Sequence, residues 1–187
     1  MRHFSRLVMV LLLSSTLGAE EVSQWQGFVD TIKGSEVSSL PWTELSVWAA
    51  EERITKDDLI ASASNEDRTV QLYSACVLLE RGLEDDALNA TAKRLEAQDE
   101  AFWVAHLRHG GVKSLMKLEG LMEAEKDEAK ARLLCTRLVS LRRSEMARAR
   151  LLTLVDKDTD AGVLLLAEAG LIEDIRSSLC LSQGREG

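Results

Sequence analysis

Two histidines three residues apart on one helix can share a metal ion, and His106 and His109 have that spacing. A metal site needs further ligands and partners that orient them, and no Cys/His spacing in the chain matches a zinc set. His109 precedes Gly110, where a cation meets a helix C-terminus favourably, so both histidines read as structural or surface groups. Carboxylate pairs at Asp57-Asp58, Asp85-Asp86 and Asp158/Asp160 could do acid–base work, yet each stands at a helix start, where capping accounts for it. Gly110-Gly111 lacks the lysine and serine of a phosphate loop, and no nucleophile elbow or His-Glu-x-x-His run is present. Asn89-Ala90-Thr91 matches a glycosylation acceptor but falls inside a helical stretch. The residues therefore point to no catalytic group, no metal and no cofactor.

Charge is more informative. Residues 130–150 hold Lys130, Arg132, Arg137, Arg142, Arg143, Arg148 and Arg150 against Glu145 alone, whereas residues 80–100 are rich in acids. Such runs are either solvated helix faces or grips for an acidic protein partner. As a partner-binding surface, Arg142, Arg143, Arg148 and Arg150 are the expected residues, because the first two fall at an inter-helix turn and the others on a second helix.

The elements that must carry these groups recur. An Asp-led start, a small-and-apolar helix, a break and a second helix return four times between residues 64 and 181. The copies open at Asp67, Asp99, Asp127 and Asp158, with steps of 32, 28 and 31 residues. Their mid-points are Arg81-Gly82-Leu83, Gly110-Gly111-Val112, Val139-Ser140-Leu141 and Ala169-Gly170-Leu171. Self-similarity at this period marks two-helix units that bury their apolar faces only by stacking. In the first copy Ser64 or Asn65 is the expected N-cap, and Gly82 ends the first helix in the way a left-handed residue does. Residues 20–63 stand outside the repeat as an N-terminal helical cap, with Pro41 expected to open its second helix and Thr55 to cap its third. Trp25, Trp42 and Trp48 lie in this cap and are expected to plug one end of the stack.

Residues 1–19 are different again. Arg2 and Arg6, the apolar run Leu7–Leu13 and a small-residue end at Gly18-Ala19 have the pattern of a secretory signal peptide, too short to span a membrane. Without them the chain has 21 basic and 31 acidic residues, a net of −10 that disfavours nucleic acid and anionic membrane as partners. The three cysteines are an odd set. Cys76 and Cys135 sit among apolar helical neighbours and read as buried thiols, while Cys180 is the candidate for an intermolecular bridge.

The unit of Asp, small-apolar helix, Gly-Leu turn and second helix resembles the short HEAT-like repeats of phycobilisome-lyase-type proteins. It spans residues 64–181, with 182–187 as a flexible tail. The resemblance implies an all-α chain, an α-solenoid of about four helical hairpins behind the N-terminal cap, and it carries over no catalytic residue. The function expected is an exported, periplasmic or secreted, non-enzymatic scaffold that binds protein partners. The alternative is an envelope enzyme, or an accessory subunit of one, whose site a single sequence does not display.

Overall fold

The computed structural model describes residues 24–142, 144–155, 164, 166–167 and 169–171. The leader, the tail, Cys180 and Arg143 lie outside the described residues, as does most of the fourth copy. The described residues are helical and contain no strand. The chain divides into two compact bodies, Met1–Ala105 and His106–Gly187.

The first body holds α1 (24–32), α2 (Leu45–Ala50), α3 (Lys56–Ala63), α4 (Arg68–Glu80), α5 (Glu84–Glu96) and the start of α6 (Glu100–His109). Helix α4 is its centre and packs against α2, α3 and α5. Ten of its 13 residues are buried, so its apolar positions run round the helix rather than along one stripe. The tryptophans of the cap close on it. Trp25 and Trp48 meet edge to face at 5.4 Å, Phe28 lies 5.0 Å from Tyr73, and Trp42 stacks on Tyr73 at 5.6 Å. The polar tips inside this cluster find partners: Trp25 Nε1 donates to Ser62 Oγ at 3.2 Å and Tyr73 Oη to the Pro41 carbonyl at 3.1 Å.

The second body holds the end of α6, then α7 (Val112–Ala124), α8 (Glu128–Arg142) and α9 (Glu145–Val155). Helix α8 packs on α7 and α9 through Ala131, Leu134, Cys135 and Leu138, which face Leu118, Met122, Ala147 and Leu151 in one buried set. Leu134 is thus a core residue.

Helix starts follow the recurring aspartates. The Asp67 carboxylate accepts from the Thr69 and Val70 amides, Asp99 from Ala101 and Asp127 from Lys130, at 3.0–3.2 Å. Two expectations need correction. Asp67, not Ser64 or Asn65, caps α4, because Asn65 Oδ1 is engaged by the Asp67 amide one step earlier. Pro41 does not open a helix of its own; it precedes a 3₁₀ turn, Trp42–Glu44, and α2 begins only at Leu45. The Thr55 box is present as expected, with Asp58 serving where Glu is usual.

Helix ends use the left-handed residue. At Gly82 (φ 73°) the amides of Gly82 and Leu83 return to Leu79 and Leu78, and at Gly170 (φ 75°) those of Gly170 and Leu171 return to Ala167 and Leu166. The same double bond closes α5, where Gln98 and Asp99 return to Leu95 and Arg94, but the left-handed residue is Gln98 (φ 57°). A side chain in that conformation is strained by roughly 1–2 kcal/mol. Gln98→Gly is therefore expected to raise the unfolding free energy by about 0.5–1 kcal/mol, after allowance for glycine's greater freedom in the unfolded chain. Urea titration checks this, and an unchanged or lower midpoint would mean that the turn is not strained.

Candidate interaction surface

The basic residues singled out by their clustering have divergent fates. The Arg142 guanidinium, at the end of α8, donates to the carbonyls of Leu107 at 3.0 Å, Gly110 at 2.6 Å and Gly111 at 3.2 Å. Leu107 is in the last turn of α6, where carbonyls lack intrahelical partners, and Gly110 and Gly111 form the turn into α7. Arg150 donates to the carbonyls of Met122 and Glu125 at the end of α7. Arg148 makes a surface pair with Glu145 at 3.4 Å, one turn away on α9. Arg143 lies outside the described residues. The four are therefore not gathered as one exposed patch: two of the three described are turned inward onto backbone.

The same use occurs in the first body. Arg81, at the end of α4, donates to the carbonyls of Trp48, Ala49, Glu51 and Ile54 where α2 terminates. Arg81 and Arg142 each follow a first helix and reach back roughly one repeat, 27–33 and 31–35 residues. Arg68 grips Asp99 with two bonds of 2.8 and 2.6 Å, and that guanidinium holds the Asp99 carboxyl below its ordinary range. The Thr69 hydroxyl does the same for Asp67, assisted by backbone amides. These lowered values report caps and ties between helices.

His106 faces Ser114 rather than His109. Its Nδ1 lies 3.0 Å from Ser114 Oγ, the reach of a base to a nucleophile. Both side chains are sealed, at 1% and 0% exposure, so the pair is closed to substrate. Gly110 makes that approach possible: a Cβ there would stand 2.3 Å from Ser114 Oγ. Among the described residues no group of three or more His, Cys, Asp or Glu is placed to hold a metal. Cys76 and Cys135 are free and buried, and burial pushes their thiols up to about 12 and about 11. The clefts are shallow and their ionic groups already bonded. One of about 410 Å³ is lined by Ser35, Asp67 and Arg68, and another of about 390 Å³ by Ser140, Ser144 and Arg148.

Several large apolar side chains are open to solvent. On α7 Val112 is 69% and Met116 65% exposed, one turn apart on a face that continues through exposed Gly120 and Ala124. Lys113 and Lys117 run beside them, also exposed. On α9 Met146 is exposed and followed on the same side by exposed Ala149 and Thr153. The equivalent face of α5 is polar, with exposed Asp85, Asn89 and Lys93. Leu118 and Met122 are buried and Leu115 and Leu121 half-buried, so the inward side of α7 is supplied without Val112 and Met116. The signal in the sequence was this excess: α7 has more large apolar residues than one buried stripe requires.

The chain matches no protein-family model, no curated protein and no solved structure.

The bonding of Arg142 makes a direct prediction. Arg142→Met leaves three helix-end carbonyls without their charged donor and is expected to cost about 1.5–3 kcal/mol. Lys117→Met, on the exposed side of α7, is expected to stay within about 0.5 kcal/mol of the parent. Equal urea midpoints for the two variants would show that Arg142 does not hold α6.

Proposed function

We propose that this protein is a non-enzymatic helical-repeat scaffold that recognises another protein through the exposed side of its second helices, α7 and α9. The observation that carries this reading is the exposure of Val112 and Met116 on α7 beside bonded charges: Arg81, Arg142 and Arg150 serve helix ends, and Asp67 and Asp99 serve caps. Large apolar side chains held at a surface are an expense in water that a partner removes. Methionine suits such a surface because its unbranched, polarisable side chain adapts to the opposing shape.

The fuller architecture belongs to this proposal. The Asp-to-Asp period and the reach-back arginines support a HEAT-like solenoid of about four hairpins, in which second helices line the concave side. The leader supports export to the periplasm or beyond, and the basic balance of residues 130–150 supports an acidic partner.

A photo-crosslinking amino acid placed at Met116, with Asn89 on α5 as the comparison position, tests the reading in the cells that make the protein. Adducts of discrete mass are expected from position 116 and few from position 89. Equal, diffuse labelling from both would contradict a docking face on α7.

A further inference from the structure

The charges of the chain are segregated. Residues 1–105 carry 9 basic and 18 acidic residues, while residues 106–155 carry 11 basic and 6 acidic; the last 32 residues return to an acidic balance, 3 against 7. The exposed large apolar side chains divide in the same way. In the first body they are Trp42, at 37% exposure, and Val47, at 65%. They flank the start of α2 and stand among Glu44, Glu51 and Glu52. In the second body the pair on α7, Val112 and Met116, stands beside Lys113 and Lys117. Glu44, Glu51 and Glu52 around the first pair are followed by Arg53, and Lys113 and Lys117 around the second share their side of α7 with Glu119 and exposed Glu123, so it is the two bodies, more than the immediate rims, that are opposite in sign.

We infer that the α7 face docks onto the Trp42–Glu52 segment of a second copy of this chain, giving a head-to-tail association. The inference rests on the reading of α7 as a docking face and names its partner. Several features favour a second copy. Trp42 is anchored from behind, stacked on Tyr73 at 5.6 Å and bonded through Nε1 to the Val37 carbonyl at 3.2 Å, so its open edge is presented by a fixed ring. A rigid tryptophan edge against a mobile methionine is the combination that dominates many interfaces. Lysines on one side and glutamates on the other steer the encounter and penalise pairing of like patches. Gly120 continues the α7 face with nothing within 4 Å of where its Cβ would be, which leaves room for an opposing chain to approach. Because the two patches differ, the contact is heterologous: a pair leaves the α7 face free on one copy and the Trp42–Glu52 segment free on the other, and association continues until a ring closes or the chain of copies ends.

Sedimentation velocity of the purified protein, over a concentration series at low and high salt, is the test. The average mass is expected to rise with concentration and to fall back in high salt, as a screened charge contact requires. Two charge-reversed variants follow, Lys113→Glu with Lys117→Glu, and Glu44→Lys with Glu52→Lys. All four positions are exposed, and far-UV circular dichroism checks that the helices are retained. Each variant alone is expected to weaken self-association about tenfold or more, and the chain carrying all four changes to recover it. An equimolar mixture of the two variants is expected to associate again with the two alternating, because each patch of one is opposite in sign to the facing patch of the other. A protein that stays monomeric throughout overturns the inference, as does self-association indifferent to the reversals. A monomeric result leaves the docking-face reading to be decided by the adducts formed at Met116 in cells, so the two failures are distinguishable.

Discussion

Every helix leaves four amides and four carbonyls without partners inside it, and in a chain of short helices these ends are a large part of the backbone. Helix α2 has only six residues, so its terminal carbonyls are most of its length. Here the starts are met by acids only two or three residues away and the finishes by arginines 25–35 residues away. Asp67, Asp99 and Asp127 supply acceptors at the starts, while Arg81, Arg142 and Arg150 supply donors at the finishes. A guanidinium suits the second task because its planar fork of N–H groups serves several carbonyls at once. Arg81 serves four, Arg142 three. Each of these arginine bonds also ties one helix to the end of an earlier one, α4 to α2, α8 to α6 and α9 to α7, so capping and packing are one constraint.

That constraint bears on function by subtraction. A charged residue bonded to a helix end is poorly placed to grip a substrate, and the buried His106–Ser114 pair is closed to one. The groups that water can reach include large apolar side chains on α7 and α9. Charge segregation then acts as a selector, since residues 1–105 are acidic in balance and residues 106–155 basic.

Local signals in the sequence translated well into structure, and long-range ones did not. The aspartates at the repeat step, the Thr55–Asp58 box, the left-handed glycines at 82 and 170 and the buried Cys76 and Cys135 all depend on neighbours within a few residues. The alternative caps at Ser64 and Asn65 show the margin: three polar residues in a row can each cap, and tertiary contact with Gly34 selects Asp67. The arginine run was visible, but whether Arg142 faces solvent or the end of α6 is decided by carbonyls 31–35 residues away. No periodicity encodes that. Gln98 was equally hidden, because a left-handed turn normally announces itself with glycine.

The central claim, that distant guanidinium groups hold the helix ends in place, is tested most directly by hydrogen exchange resolved along the chain in Arg81→Met. The account predicts faster amide exchange through α2 and the turn to Thr55, with α8 in the other body keeping its parental rates. Parental exchange rates through α2 and its turn would contradict it, as would an equal acceleration in both bodies.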